Sequence, residues 1–330
     1  MRFMKYLAGR LLAWFMVIFI GITFMFFIPR FFPSDPVETM ISNMLTKTSL
    51  EASEIEIMRA HLRSLYGLDG TLGEQYIDFL KNAVRFDFGP SMMNFPTAAT
   101  EIVARYLPYT VGLSLFTTII AWVLGNFIGL LAGFRKNKAS SVILEYIAIF
   151  LYPIPYFIIA LIVQILFCFI WKIFPVTATI VTAQGPMVFL QTLIKSSILP
   201  AVTMLLLGFG WWVISMKAVT ADTAEEEYVQ YARFRGLSEG KIMRGYVLRN
   251  CIIPQVSGFA LSLGGVFGGS LMTEIIFQYP GVGKLLQSAI MASDYNMIMA
   301  TVSISIISIS TATLVADLIY PLIDPRIRYS

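Results

Sequence analysis

The chain has 330 residues, is 57% hydrophobic and 13% charged, and carries a formal charge of +4, whereas soluble domains carry about 25% charge. With 26 Phe and a mean hydropathy of +0.74, it is read as an integral membrane protein rather than a soluble domain. The small net charge, with no basic tract interleaved with aromatics, argues against a nucleic-acid partner. Two cysteines, Cys168 and Cys251, and the single His61 argue against a disulfide framework or a metal centre.

The N-terminus, MRFMKYLAGRLLAWFMVIFIGITFMFFIP, places basic residues ahead of an uncharged run at 11–29. That run is longer than the apolar region of a signal peptide, and no Ala-x-Ala site follows it, so it is read as a retained first span. Uncharged intervals recur at 106–134, 146–171, 196–216, 250–273 and 295–316. At ~20 residues per crossing, the pattern predicts an all-α protein with six transmembrane helices. A further interval, 173–194, contains Pro175, Gly185 and Pro186, which would interrupt backbone hydrogen bonds that lipid cannot replace. It is read as an external loop with an interfacial piece.

Residues 1–105 form one unit, the first span followed by a long extracytoplasmic loop; residues 106–330 hold the other five spans. The loop is too long for a simple connection. Ser53 and Glu56 fit a capping box ahead of an apolar face of Ile55, Met58, Leu62 and Leu65, and Thr71 and Glu74 repeat the spacing ahead of Tyr76, Phe79, Leu80 and Ala83. Two short amphipathic helices, lying on the membrane or on a partner, are expected there, with His61 an exposed residue on the first.

The segment 218–253 is the longest strongly charged run in the second half. A helix over about 222–235 starts among Asp222, Glu225, Glu226 and Glu227, acids that favour a helix N-terminus. Gly236 suits its C-cap. Ser238 can cap a second helix, which Pro254 would close. The small residues Ala232 and Gly236 would let such an elbow enter a groove on a soluble partner; the plain alternative is a solvated loop whose charges only fix topology. With the N-terminus inside, the short inner segments hold 14 of the 24 Lys and Arg, among them Lys136, Lys138, Arg326 and Arg328. The asymmetry puts both termini and the elbow in the cytoplasm.

No G-x-x-x-x-G-K-[ST] loop is present, and no Ser/His/Asp set can form within the spans, which argues against an enzyme. Ion-coupled carriers keep ionisable residues deep in the bilayer, but Glu145, Glu274 and Asp317 each fall near a span end. Asn126 and Gln164 are read as interhelical hydrogen-bonding groups. Energy coupling therefore has to come from outside the chain. Gly264 with Gly268, and Gly265 with Gly269, form small-xxx-small pairs that suit close packing, against another membrane subunit or within the chain. Trp211 and Trp212 suit an interfacial belt or a substrate-stacking wall.

The run QYARFRGLSEGKIMRGYVLRNCIIP resembles the cytoplasmic EAA loop of ABC importer permeases, in its peptide-permease variant A-R-x-x-G-L…P. The family pattern falls on Gln230, Tyr231, Ala232 and Gly236, of which the alanine and glycine are kept. GRLL, YGLD, FDFGPS, LPYT, EIIFQYPGVGKLL, DY and DPRIRY resemble, in order and along the whole chain, the first permease subunit of oligopeptide and dipeptide importers. The resemblance implies a type I importer in a bacterial or archaeal plasma membrane. Its partners would be a second homologous permease, two cytoplasmic ATPases that use ATP and Mg, an extracytoplasmic binding protein and membrane lipid. Gln230, Tyr231, Ala232, Arg233, Gly236 and Leu237 would form the coupling helix. Gly264, Gly268 and Glu274 would lie at the permease interface or pathway. The chain itself would bind no cofactor. Oligopeptides are the expected cargo; oligosaccharides are the alternative within the family, and an ion-coupled carrier or a membrane scaffold the alternatives outside it.

Overall fold

A computed structural model describes residues 2–31, 35–45, 52–135, 139–178, 180, 185–266 and 271–323. Among them the chain is helical, with one isolated bridge, Pro90 to Ala98, and no longer strand. The helices are α1 (Arg2–Arg30), α2 (Pro36–Leu45), α3 (Ala52–Leu65), α4 (Leu72–Val84), α5 (Ala99–Phe134), α6 (Ala139–Leu151), α7 (Tyr156–Gln164), α8 (Pro186–Ala224), α9 (Glu227–Phe234), α10 (Glu239–Ile242), α11 (Leu248–Gly265), α12 (Leu271–Ile276), α13 (Val282–Met291) and α14 (Tyr295–Ile323). Four of them, α1, α5, α8 and α14, are long and apolar enough to cross a membrane.

The centre of the bundle is the α5–α8 pair. Gly125, Gly129 and Gly133 line one stripe of α5, and a Cβ at each would meet Trp212, Val213 or Met216, and Lys217 or Thr220. The numbers rise together along both helices, so the two run parallel, with backbones close enough that only glycine fits. Trp212, 7% exposed, is wedged between Gly125 and Gly258. It is neither a belt residue nor a stacking wall. Trp211 is exposed and stacks on Tyr152 at 5.9 Å.

Helix α1 lies antiparallel to α14. Tyr6 donates to the Asp317 carbonyl, Arg10 pairs with Asp317 at 2.9 Å, Trp14 donates to Thr311, and Gly21 faces Ile306. The starts of α5 and α14 share one core with the end of α1, through Phe26, Ile102, Val103, Met297 and Ala300. The end of α5 packs on the elbow. The start of α1 and the end of α14 therefore lie towards the elbow end of the bundle.

The third predicted span, 146–171, is interrupted: residues 152–155 separate α6 from α7, where Pro153 and Pro155 deny the backbone its donors. The pair α6–α7 retraces α8 in reverse, with Glu145 ion-paired to Lys217 and Ile159 and Val163 packed on Leu199. The fifth, 250–273, is carried by α11 and α12, with residues 267–270 outside the description. Pro254 does not close a helix as expected but lies inside α11, because one lost hydrogen bond within a packed helix is tolerated. The expected loop at 173–194 ends early. Gly185, with φ +95°, and Pro186 start α8 ten residues before the predicted span. Cys168 and Cys251 are buried in two separate cores.

Among the described residues, three helices rather than two form a lobe between α1 and α5. Asp35 caps the unforeseen α2, its carboxylate accepting from the Val37 N–H at 2.9 Å. Helix α3 starts at Ala52, which places Ser53 inside the helix rather than at its cap. The apolar face of α3 meets Val37 and Ile41 of α2 through Leu62, Ile55 and Met58, while Leu65 stays exposed. Arg59–Glu38 and Arg63–Asp35 pairs close the α2–α3 joint. His61 is exposed. The Thr71–Glu74 capping box is present on α4, whose Phe79 and Ala83 are buried against α1 and α5. The lobe thus packs part of its apolar surface on its own chain, while Ile57, Leu72, Ile77 and Val84 stay exposed.

Candidate functional site

At the elbow, the long helix α8 runs through Ala224, past the expected start at 222. The chain turns at Glu226 (φ −61°, ψ 146°), and the eight-residue α9 follows. It stops because Gly236 adopts φ +73° and closes the turn, its N–H donating to the Arg233 carbonyl at 2.9 Å. A Cβ there would meet no neighbour, so backbone conformation alone requires glycine. Ser238 stands at the cap of α10 in extended geometry but makes no side-chain cap bond.

The elbow is rigid because its inner face is a core. Val229, Ala232, Ile242, Val247 and Cys251 are buried with Leu130 of α5 and Met216 of α8, and Leu237 packs beside them. Asn250 donates to the Tyr228 hydroxyl at 2.8 Å, tying α11 to α9, and Arg233 meets Glu239 at 3.4 Å. Ala232, 3% exposed, faces this core and is not available to enter a partner's groove. Gln230, Tyr231, Arg233 and Gly236 are exposed. The residue that sequence reasoning passed over is Phe234. It is 85% exposed, beside Tyr231 at 72%. The i, i+3 spacing of Tyr231 and Phe234 puts both aromatics on one helical face, and was legible once Ala232 was assigned inward. Two large aromatics presented to solvent by a buried scaffold are suited to burial against a protein partner.

Away from the elbow, Glu274 is 1% exposed. Its carboxylate accepts from the Thr110 hydroxyl at 2.7 Å and the Gly283 N–H at 2.6 Å. Gly264 packs against Thr313 of the chain's own α14, where a Cβ would fall 2.6 Å from the hydroxyl oxygen. Gly265 faces open space, and Gly268 and Gly269 lie outside the described residues, as do Lys136, Lys138, Arg326 and Arg328 of the predicted inner charges. Gln164 bonds between helices, donating to the Ile276 carbonyl at 2.8 Å, while Asn126 donates within its own helix.

Residues 125–329 match the sequence profile of the family described as binding-protein-dependent transport system inner membrane components. The chain belongs to that family. The match takes in the elbow, α8 and the Glu274 segment; the lobe lies outside it. Similarity to individual members runs the full length. The chain is 28% identical over 326 residues to the glutathione transport system permease protein GsiC of Escherichia coli (strain K12), covering 99% of each. It is 28% identical over 313 residues to the oligopeptide transport system permease protein AppB of Bacillus subtilis (strain 168), covering 94% of this chain and 96% of that one.

Proposed function

We propose that this family member is one of two permease subunits of an ATP-driven importer, and that its cargo is oligopeptides. The observation that carries the reading is the elbow: a short helix braced by a core shared with α5, α8 and α11, presenting Tyr231 and Phe234 outward. In a family of transport-system membrane components, such a surface is a docking face for a cytoplasmic ATPase. Motion imposed there would pass into α5 and α8, which run parallel from the elbow to the other end of the bundle. The cargo follows from the relatives, one named for glutathione, itself a short peptide, and one for oligopeptides.

In this reading the chain crosses the membrane six times, with α6–α7 and α11–α12 as interrupted spans and both termini on the cytoplasmic side. Support comes from the common end shared by the elbow, the start of α1 and the end of α14, and from the basic residues gathered there, among them Arg10, Lys217, Arg233, Arg235, Lys241, Arg244 and Arg249. The lobe then faces outward, towards the binding protein. The test is reconstitution in vesicles with the second permease, both ATPases and the binding protein. Peptide uptake should require all of them and ATP. Uptake by this chain without ATPases would replace the reading with an ion-coupled carrier. No uptake with every partner present would leave a scaffold.

A further inference from the structure

The second feature is the Glu274 segment, which holds a carboxyl group in the interior without a cation. Among the described residues no Lys or Arg side chain pairs with Glu274; the Lys284 ammonium turns instead to the Gln278 carbonyl at 3.2 Å, and only the Lys284 backbone N–H faces the carboxyl. An ionised carboxylate in such a place is costly unless donors surround it. Here the donors come from two directions. The Thr110 hydroxyl of α5 donates to one oxygen at 2.7 Å, and the Gly283 N–H of α13 donates to the other at 2.6 Å. Thr110 in turn accepts from the Val282 N–H at 2.8 Å. Two N–H groups of the first turn of α13 are thereby used up by a pair of side chains from α12 and α5. The glycines of Gly281-Val282-Gly283 follow from the same fact. A Cβ at Gly281 would overlap the carboxyl group, and one at Gly283 would fall 2.9 Å from its oxygen.

The segment that begins at Glu274 is tied down again at each following step. The Ile276 carbonyl accepts from Gln164 of α7, the Phe277 carbonyl from the Ala178 N–H, and the Tyr279 hydroxyl bonds Ser197 of α8 at 3.0 Å. Tyr279 packs with Leu113 of α5 and Ala201 of α8, and it lines an apolar cavity of about 630 Å³ between those helices. Three helices, α12, α5 and α13, thus meet at one carboxylate, the chain that follows it is tied to α7 and α8, and α5 and α8 extend to the elbow.

We propose that Glu274 and Thr110 are positioning residues of transport: they lock the first turn of α13 to α5, so that Tyr279 and the α5–α8 cavity wall move with the helices that reach the elbow. An apolar plug would fill this space without the cost of burying a carboxyl group; a carboxyl held by the Thr110 hydroxyl and the Gly283 N–H, with the Val282 N–H on Thr110, fixes one geometry instead. The proposal rests on the permease reading above.

The test uses the complete transporter in lipid nanodiscs, with Glu274→Gln, Thr110→Val and the conservative Thr110→Ser. Glutamine keeps one acceptor for the Gly283 N–H but puts an amide N–H in place of the other, so the Thr110 hydroxyl can no longer donate to that atom and the shared network has to rearrange. Amide exchange at Val282 and Gly283 should rise about tenfold, the equivalent of one net hydrogen bond. Basal ATP hydrolysis should persist while stimulation by loaded binding protein and peptide uptake fall together, and Thr110→Ser should restore both. Faster exchange with unchanged stimulation would make the joint a structural plug and overturn the proposal. Unchanged exchange in Glu274→Gln, or Thr110→Ser behaving as Thr110→Val, would also overturn it. A wild-type complex that hydrolyses ATP without peptide uptake would instead overturn the permease reading, while exchange at Val282 and Gly283 would still report whether the lock exists. Should Thr110→Val fail to assemble, Glu274→Gln, which keeps the side chain's size, decides alone.

Discussion

The two ends of the bundle use the same residue types in opposite ways. Away from the elbow, the carboxylates of Glu274 and Asp294 are 1% and 0% exposed. Asp294 accepts from the Ser91 hydroxyl at 2.6 Å and the Met93 and Met297 N–H groups at 3.0 Å each, pinning the loop after α4 to the start of α14. At the elbow, Glu225, Glu226, Glu227 and Glu239 are exposed, and what is buried is aliphatic. A buried carboxylate with several donors fixes one geometry, because losing any donor orphans a polar group. An exposed charge on an apolar scaffold fixes nothing locally and leaves its surface free for a partner. One end fixes its geometry internally, and the other leaves its surface exposed.

The comparison is broken first by removing a buried carboxylate. Asp294→Ala leaves three donors without their acceptor, the Ser91 hydroxyl and Met297 N–H buried and the Met93 N–H partly exposed, at about 1–3 kcal/mol for each buried one. The expected loss is about 3 kcal/mol or more, seen as a fall of several degrees in the unfolding midpoint of the purified protein. A midpoint equal to wild type would show that the loop is held by its apolar contacts, Phe88 and Ala99, and that the carboxylate is incidental.

The elbow should respond the other way. Phe234 is 85% exposed, so Phe234→Ala should leave stability within about 0.5 kcal/mol. If the aromatic is an interface anchor, its loss should weaken ATPase binding tenfold or more, measured by copurification and by titrating the ATPases onto the purified permease. Ala232→Leu sharpens the contrast, since it overfills the elbow's core and should cost stability before it touches binding. Loss of binding from Ala232→Leu at full stability would place Ala232 on the partner's side after all.

How much of this was legible depended on whether a signal was local. The Thr71–Glu74 box and the Gly236 turn are consecutive-residue patterns, and each appears where it was read. Helix α2 carried an equally local signal in Asp35-Pro36-Val37-Glu38, a cap followed by proline at the first helical position. The interrupted third span was marked by Pro153 and Pro155, which a count of uncharged residues cannot weigh. What could not be read is what depends on pairing at a distance. The spacing of Gly125, Gly129 and Gly133 is as regular as that of Gly264 and Gly268, and only the fold says that the first stripe meets α8. Glu274 looked like a span-end acid because Thr110 stands 164 residues away. Ala232 looked like a docking residue because its burial is supplied by α5, α8 and α11.

The smallest effect tests the lobe, where a carboxylate is hydrogen-bonded yet exposed, an intermediate between the two ends. The Glu74 carboxylate accepts from the Thr71 N–H at 2.8 Å and from its hydroxyl at 2.9 Å. These bonds favour the charged form and hold its pKa below the ordinary carboxylate value, the backbone bond first. A group whose folded pKa is lowered stabilises the fold above its unfolded pKa, about 4.3 for Glu. That contribution is lost as pH falls through the lower folded value. Amide protection in the first turn of α4, corrected for intrinsic exchange rates, should therefore be constant above about pH 5 and decline below it. Glu74→Gln should abolish that decline, while protection at α9, where no such cap exists, stays flat over the same range. Solvent at this exposed site screens the charge, so the change should be local and leave the unfolding midpoint unmoved. Protection at α4 that ignored pH in the wild type would mean the cap is held by the Thr71 hydroxyl alone, and that a carboxylate here, unlike Glu274 and Asp294, specifies nothing.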